Sequence, residues 1–353
     1  AADSRDIRQW HIDPLLIRFR IWRDEFDFTL VDWSGHVLYW INNGKIEWQD
    51  LRDGKAPQAL KPSLPLYQPV AVDPRRELLL VHDQGRQASL CDIATGQCVP
   101  AVDHEGPVTL AGFNAQGTRA FSAGGTSLVF WDAVERKPLR PPVEVSGGIR
   151  SALVSPDGKT LVIGHDPPKD PEPTQFGRFL QFYDMISGET IGPKQRSIRG
   201  NPWSMGFDPS GQSLYLGDTR GVVVKYDARA SKKVWEFAAH PAAIHDLAVS
   251  PDGTRLATGS ADSTARIWDL ATLKPIGLPM HQPTLVSCLC FHPDGTTLVT
   301  GGQDHQVRFW DALSGRKLTP PFNHLAPIKR LRYSQDGARL LVYTQTSSQK
   351  TLF

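Results

Sequence analysis

Apolar and polar residues alternate along most of this chain in short runs with a period of two. The stretch IHDLAVSPDGTRLATGSADSTARIWD, residues 244–269, contains three such runs, separated by the turn residues PDG and by a second polar turn. Period-two alternation predicts β-strands with one buried face, and Asp and Gly adopt the turn conformations that other residues resist. We therefore expect three strands joined by tight turns.

A fourth run follows the three and contains prolines, as in KPIGLPM (residues 274–280) and RKLTPPF (residues 316–322). Proline donates no backbone hydrogen bond, so within a sheet it is tolerated at the edge. Each unit of the pattern is therefore predicted to be a four-stranded antiparallel meander whose fourth strand is outermost.

The whole unit recurs along the chain, with its third run ending at an Asp about every 42 residues. These residues are Asp50, Asp92, Asp132, Asp184, Asp227, Asp269 and Asp311. The step to Asp184 is longer because the fourth unit carries the insertion GHDPPKDPEPTQFG, residues 164–177. Eight sets of first to third strands begin near Phe26, Tyr67, Val108, Ile149, Pro202, Ile244, Val286 and Ile328. A lone sheet of this kind cannot bury both faces, so neighbouring units must stack.

The Trp-Asp pairs at 268–269 and 310–311, the PDG turns and the His before the first strand form a known pattern. With them the chain resembles the WD40 repeat family, in the style of bacterial WD40 arrays, and the resemblance covers nearly the whole chain. It implies an all-β β-propeller of four-stranded blades.

Eight blades are favoured and seven are the alternative, because the first set is degenerate. The chain is then a single domain, 1–353, with residues 1–25 as the closing strand and residues 26–353 as the repeats. Leu15–Ile21 is expected to act as a fourth strand beside Lys350–Phe353. IRQWHI (residues 7–12) and QKTLF (residues 349–353) both look like the last blade's third strand, and we expect only one of them to occupy that position.

Composition narrows the classes of partner. The 39 basic and 37 acidic residues nearly cancel, which argues against a nucleic-acid or polybasic membrane surface. No apolar stretch is long enough to span a bilayer. Four cysteines with no disulfide framework favour a reducing compartment, so a cytoplasmic location is expected. The opening AADSRDIRQW lacks Met and a signal pattern, and we expect a piece of a longer protein.

Two sets of His, Thr, Asp and Trp recur and could be mistaken for catalytic groups. The resemblance implies instead that each set is a structural hydrogen-bonded tetrad. The sets are His240, Thr258, Asp262 and Trp268, and then His281, Thr300, Asp304 and Trp310. Cys288 and Cys290 lie two apart with no metal-binding spacing, so a packing role is expected. No metal or cofactor is expected.

One register position opens each first strand, eight residues before the Gly position of the first turn. Its residues are Asp27, Gln68, Thr109, Arg150, Trp203, His245, Ser287 and Lys329. The resemblance implies that this position lies at the channel mouth on the top face, where such propellers most often bind partner peptides. The loop Asp166–Phe176 is expected to form one wall beside Arg150 and Trp203. Cations beside an aromatic suit a segment that bears carboxylates.

These features favour a non-catalytic platform that binds a protein or peptide, or other domains of its own parent chain. The parent is expected to be a larger bacterial signalling or defence protein. The alternative is a purely structural or oligomerising cap. An enzyme is less favoured, because no convergent acid, base or metal cluster is evident in the sequence.

Overall fold

The computed structural model describes residues 10–11, 29–31, 37–42, 45–50, 56, 58–59, 68–73, 77–83, 85–167, 179–196, 204–345 and 350–352 of the chain. Within these residues the backbone forms antiparallel β-sheets and no α-helix. The prediction of an all-β chain of four-stranded meanders is confirmed. The number of blades in a closed ring stays a prediction.

The strands follow one another in chain order with similar lengths. They are β1 (Trp10–His11), β2 (Thr29–Val31), β3 (Val37–Asn42), β4 (Lys45–Asp50), β5 (Gln58–Ala59), β6 (Gln68–Val72), β7 (Leu78–His82), β8 (Gln87–Asp92), β9 (Val102–Asp103), β10 (Val108–Phe113), β11 (Arg119–Gly124), β12 (Ser127–Asp132), β13 (Lys137–Pro138), β14 (Val143–Glu144), β15 (Ile149–Val154), β16 (Thr160–His165), β17 (Phe179–Asp184), β18 (Thr190–Arg196), β19 (Ser204–Phe207), β20 (Ser213–Gly217), β21 (Val222–Asp227), β22 (Lys232–Ala238), β23 (Ile244–Val249), β24 (Arg255–Ser260), β25 (Thr264–Asp269), β26 (Pro275–His281), β27 (Val286–Phe291), β28 (Thr297–Gly302), β29 (Gln306–Asp311), β30 (Phe322–Asn323), β31 (Ile328–Tyr333), β32 (Arg339–Gln345) and β33 (Lys350–Leu352).

The described strands form eight sheets, numbered I to VIII here. Sheets I to VII are β2–β5, β6–β9, β10–β14, β15–β18, β19–β22, β23–β26 and β27–β30, and sheet VIII combines β31, β32, β33 and β1. The chain divides into two compact units. Unit one comprises Ala1–Asp24, Arg199–Asp227 and Lys233–Phe353, and unit two comprises Glu25–Ile198 and Ala228–Lys232. Sheets VI to VIII lie in unit one, and sheets I to IV in unit two.

The turn between first and second strands forms where the sequence predicts it. In sheet VI, Gly253 adopts a left-handed φ of 73°, which glycine enters without steric cost, and its N–H donates to the Ser250 carbonyl at 2.8 Å. The Asp252 carboxylate accepts from the Thr254 N–H at 3.0 Å. Gly295 repeats this conformation in sheet VII.

The fourth strands lie at the edges of their sheets, as predicted from their prolines. In sheet III the pair Pro141 and Pro142 separates two short edge strands, β13 and β14. In sheet VII, Pro320 and Pro321 precede a two-residue edge strand, β30. Both interruptions follow from the missing proline N–H groups.

Sheets of unit one pack through the two faces of their first strands. Leu289 and Phe291 of β27 join a core with Ile267 of sheet VI. Cys288, on the opposite face of β27, packs with Ile328 of sheet VIII. The expected packing role of Cys288 is therefore seen, and β27 is buried on both sides.

Sheet VIII differs from the expectation at its outer side. Trp10 and His11 pair with Leu340 and Arg339, while Lys350–Leu352 pairs with the other end of the same strand, β32. The expectation that IRQWHI and QKTLF exclude each other was wrong, because each covers a different half of β32. Leu15–Ile21 lies outside the described residues.

Candidate functional site

A repeated contact sets the end of each sheet at which its first strand begins. In unit one the first residue of a first strand packs on a glycine of the preceding sheet's second strand. The pairs are Ile244 on Gly217, Val286 on Gly259 and Ile328 on Gly301. A Cβ at any of these glycines would come within 2.5 or 2.6 Å of the partner's side chain, so a larger residue would force the packed strands to shift.

The next residue of each first strand is a β-bulge. The pairing of first and second strands skips His245, Ser287 and Lys329, because the register shifts across each of them. A bulged residue is left out of the ladder and its side chain is re-aimed. Lys329 is exposed, and His245 and Ser287 are half-buried. We call these three residues the opening set.

Carboxylates near the same ends of these sheets are bonded within the chain. Asp218 accepts from Arg220 Nε and Nη2, both at 3.1 Å. Asp262 accepts from Thr264 N–H at 2.9 Å and lies 2.9 Å from His240 Nδ1. In sheet VII, Asp304 forms an ion pair with the guanidinium group of Arg308. No described carboxylate forms an ion pair with Lys329, which leaves that end of unit one with an available cation.

The four residues of the first tetrad are linked in sheet VI. Thr258 Oγ1 lies 2.7 Å from His240 Nε2 and accepts from Trp268 Nε1 at 2.9 Å. His240 Nδ1 lies against Asp262. Burial lowers the pKa of His240, and the contact with Asp262 opposes that shift without overcoming it. The imidazole is thus a neutral, buried member of a hydrogen-bond network.

The second tetrad contains a different residue from the one predicted. His281 is exposed, and Gln282 is buried and accepts from Thr300 Oγ1 at 3.1 Å. Trp310 Nε1 donates to the same Thr300 hydroxyl at 2.8 Å. The prediction of His281 was wrong because it matched residue type instead of spacing. Gln282 stands 18 residues before Thr300, as His240 stands 18 before Thr258.

Unit two holds a related network that the sequence reading missed. His104 Nε2 lies 3.0 Å from Ser122 Oγ, 18 residues on, and Trp131 Nε1 donates to that oxygen at 2.9 Å. His104 Nδ1 lies 3.3 Å from the Ser127 carbonyl oxygen. This carbonyl takes the place that the Asp262 carboxylate has beside His240 in sheet VI. The same 18-residue spacing would have identified it.

The remaining predicted partner residues fall into two groups. In unit two, Thr109 and Arg150 are bulge residues and are exposed, and Arg150 Nε donates to Asp166 Oδ2 at 2.6 Å. Gln68 pairs with His82, so in sheet II the bulge comes at Val70 instead. Asp27, Trp203 and Phe176 lie outside the described residues, as does most of the loop Asp166–Phe176.

The carboxyl group of one half-buried residue connects two of the first strands in unit one. Asp246, beside His245, accepts from Leu289 N–H of the next sheet at 2.8 Å and from Leu247 N–H at 2.9 Å. Burial raises the pKa of Asp246 to about 7, although these N–H groups and Arg330 act to lower it. The contact fixes β23 against β27 directly beside the opening set.

The cysteines depart from one expectation. Cys91 and Cys98 form a disulfide, so the prediction of no disulfide was wrong. A β-bridge places them opposite each other, with their Cα atoms 4.0 Å apart. The cytoplasmic location was expected because no disulfide framework was evident, and a disulfide is typical of oxidising compartments. That location therefore stays an untested prediction. Cys288 and Cys290 are free thiols.

The described ranges lack two other classes of feature, a metal-ligand cluster and a membrane-spanning helix. They contain no group of His, Cys, Asp or Glu side chains placed to hold a metal ion. They also contain no helix with the length and hydropathy of a membrane span.

Comparison with known families gives two matches within the chain. Residues 231–269 and 274–311 each match the family described as WD domain, G-beta repeat. These are the two repeats that contain Trp268 and Trp310.

Curated relatives are similar over parts of the chain. The serine-threonine kinase receptor-associated protein of Gallus gallus is 23% identical over 57% of this chain and 52% of its own length. The transcription factor unc-37 of Caenorhabditis elegans is 36% identical over 50% of this chain and 29% of its own. The protein groucho of Drosophila melanogaster is 28% identical over 35% of this chain and 16% of its own length. The chain spans about half the length, or less, of the relatives it matches, and these relatives are eukaryotic.

A solved structure shows the same fold over almost the whole chain. The computationally designed Ika8 protein superimposes with a TM-score of 0.66, covers 93% of this chain and 94% of its own, and is 14% identical. WD repeats are typical of protein-interaction scaffolds.

Proposed function

We propose that this chain is a non-catalytic protein-interaction platform, and that the opening set of unit one binds an extended peptide segment bearing carboxylates. Support comes from the two matched WD repeats and from a relative whose name describes association with a serine-threonine kinase receptor.

The observation that carries the proposal is the state of the charged groups around the opening set. Lys329 is exposed and has no carboxylate partner among the described residues, while Asp218, Asp262 and Asp304 are bonded within the chain. An anionic segment can therefore approach without meeting unsatisfied negative charge. Charge complementarity of this kind favours association and excludes basic partners.

The other two members supply hydrogen bonds. Burial lowers the pKa of His245, so its imidazole is neutral near pH 7 and offers one donor and one acceptor. The Ser287 hydroxyl can do the same. Because each side chain stands on a bulge held by a packed glycine contact, the set is preorganised, which reduces the entropy cost of binding.

Finer features of the function are part of the same proposal. The chain is a single eight-bladed propeller domain, 1–353, that recognises partners for a larger bacterial signalling or defence protein. Thr109 and Arg150 contribute to partner binding within unit two. Trp203→Ala stays a prediction from sequence, with an expected loss of about 2 kcal/mol or more in binding.

A second function, as an oligomerising cap, is favoured by one observation. Leu278 and Leu313 in unit one are 65% and 64% exposed. They are neighbours, because Leu278 N–H donates to the Ser314 carbonyl at 3.1 Å. Exposed apolar residues that lie near one another often mark an interface. If this function holds, Leu278→Asp with Leu313→Asp will convert an oligomer to a monomer in light scattering.

Selection of short random peptides on the immobilised protein tests the proposed platform. We expect enrichment of Asp and Glu, and an affinity that falls about fivefold in Lys329→Ala, since an exposed ion pair contributes up to about 1 kcal/mol. Arg229→Ala is the control, because Arg229 is an exposed cation in the turn after β21, where it pairs with Asp157 at 3.8 Å and is not part of the opening set. Basic or purely apolar peptides, or equal losses in both variants, would contradict the proposal.

A further inference from the structure

Three cationic residues lie close together on the first strand of sheet VIII. β31 carries Lys329, Arg330 and Arg332, and all three are exposed. The equivalent first strands β23 and β27 carry no lysine or arginine. Successive side chains of a regular strand point to opposite faces, so Lys329 and Arg330 would then point in opposite directions. Where these two side chains point therefore depends on the bulge at Lys329.

The bulge brings the two adjacent cations to the same side of β31. Ile328 and Leu331 are three residues apart, yet both pack in the core that sheets VII and VIII share. Residues three apart in a regular strand face opposite sides. The extra residue in the bulge changes this alternation, because Lys329 and Arg330 together oppose a single residue, Tyr343 of β32. Both cations therefore lie away from the face that packs on sheet VII.

A third cation lies on the same side of β31. Arg332 stands between Leu331 and Tyr333, and both of these neighbours pack in the core with sheet VII. Arg332 therefore points away from that core, as Lys329 and Arg330 do. We call Lys329, Arg330 and Arg332 the cationic face. Because its three charges lie on one short strand, their attraction for an anion beside the strand adds up.

The cationic face acts electrostatically on the two strands that carry the rest of the opening set. Burial raises the pKa of the Cys288 thiol on β27, and the charge of Lys329 acts against that rise. Burial raises the pKa of Asp246 on β23 to about 7, and the charge of Arg330 acts against that rise. Near neutral pH the Asp246 carboxyl group therefore cancels only part of the positive charge around it.

We propose that the cationic face makes the opening set select a phosphorylated side chain of the partner peptide over a carboxylate. This inference rests on the proposed function, because it concerns the same peptide at the same surface. A phosphate monoester carries a charge of about −1.5 to −2 at pH 7 and three strong acceptor oxygens, whereas a carboxylate carries one charge on two oxygens.

The two adjacent cations suit the larger anion because they differ in chemistry. The Lys329 ammonium group is a compact charge that can contact one phosphate oxygen, and the Arg330 guanidinium group can donate to two others. A carboxylate that accepts both hydrogen bonds of Arg330 has no further oxygen to offer Lys329 alone. The bulge thus places side by side two groups that a single phosphate can bind together.

Binding of three related peptides at pH 7 tests this selectivity. The first is an acidic peptide selected on the wild type, and the second has phosphoserine in place of its most important acidic residue. The third has two adjacent Glu residues there, which matches the charge of the phosphate. We expect the phosphoserine peptide to bind about tenfold more tightly than the first peptide, and more tightly than the charge-matched one.

Variants at Arg330 separate this inference from the proposed function. We expect Arg330→Ala to weaken the phosphoserine peptide about tenfold and the acidic peptide less than about threefold. Arg330→Lys keeps the charge but loses the two-pronged donor, so it should recover only part of the phosphoserine affinity. Arg316→Ala is the control, because Arg316 is exposed in the turn after β29, at the opposite end of sheet VII from the start of β27.

The outcomes distinguish the two claims. If the acidic peptide binds and the phosphoserine peptide binds no more tightly than it or the charge-matched peptide, the inference is wrong and the proposed function stands. Equal losses of both peptides in Arg330→Ala, or a similar loss in Arg316→Ala, would also overturn the inference. If neither peptide binds the wild type, the proposed function fails and the inference fails with it.

Discussion

Gly259→Ala tests how the opening set is held in place. The Val286 side chain packs on Gly259, and Ser287 of the opening set follows directly. A Cβ at position 259 would lie 2.6 Å from Val286 Cγ1 and 3.1 Å from Leu289 Cδ2. Carbon atoms pack best at about 3.5–4.0 Å, so β27 must move by about 1 Å.

The expected magnitude follows from this overlap. Overpacking by one methyl group costs about 1–3 kcal/mol in a packed core. Val286→Ala removes the clashing Cγ1 and leaves a Cβ at 3.1 Å, at its own cost of about 1.5–3 kcal/mol. The loss of unfolding free energy in the double variant should then be about 1–2 kcal/mol smaller than the sum of the losses in the two single variants.

Urea unfolding of the wild type, both single variants and the double variant measures this coupling. Gly148→Ala is the control, because a Cβ there meets its nearest atom, Asp166 Oδ2, at an ordinary 3.5 Å. Its free energy of unfolding should change by less than about 1 kcal/mol. Additive losses in the double variant, or a cost for Gly148→Ala equal to that of Gly259→Ala, would refute the proposed contact.

Three further predictions concern stability. Gln282→Ala should lower the free energy of unfolding by about 1–3 kcal/mol, because the Thr300 hydroxyl loses its acceptor, whereas replacement of the exposed His281 by Ala should leave it unchanged. A larger loss in His281→Ala than in Gln282→Ala would support the predicted tetrad with His281. Reduction of the Cys91–Cys98 disulfide, which joins residues 7 apart, should cost about 2–2.5 kcal/mol, and a Cys98→Ser variant that still responds to reductant would contradict this. Asp246 holds its proton up to about pH 7 in the folded protein, but it ionises near its ordinary pKa of 3.8 when the chain unfolds. The free energy of unfolding should therefore fall by up to about 1.4 kcal/mol per pH unit between these two values and level off at higher pH. If the free energy of unfolding of Asp246→Asn runs parallel to that of the wild type from pH 4 to 8, this prediction is contradicted.

Much of the fold could be predicted because its signals are local. The PDG turn at Gly253 and the period-two strands around it depend on neighbouring residues, and the structure forms both where the sequence places them. The proline-bearing edge strands follow from the chemistry of one residue type. Local features of this kind need no knowledge of the rest of the chain.

The missed features depend on distant pairing. Trp10 meets Leu340 only through strand pairing between opposite ends of the chain, and Cys91 meets Cys98 only through a β-bridge. The choice of Gln282 over His281 depends on spacing to Thr300, which a match by residue type ignored. The bulges also follow from the hydrogen-bond register, which leaves no compositional trace at Ser287 or Lys329.

Photo-cross-linking from the opening set tests the central claim most directly. A photoreactive residue would replace Ser287 in one protein and Arg229, the control site, in another, and both would be irradiated with an acidic peptide selected on the wild type. The account predicts cross-links from position 287 that excess unlabelled peptide and Lys329→Glu both suppress, with none from position 229. Cross-links from position 229, or binding that survives Lys329→Glu without cross-linking at 287, would contradict the assignment of this surface.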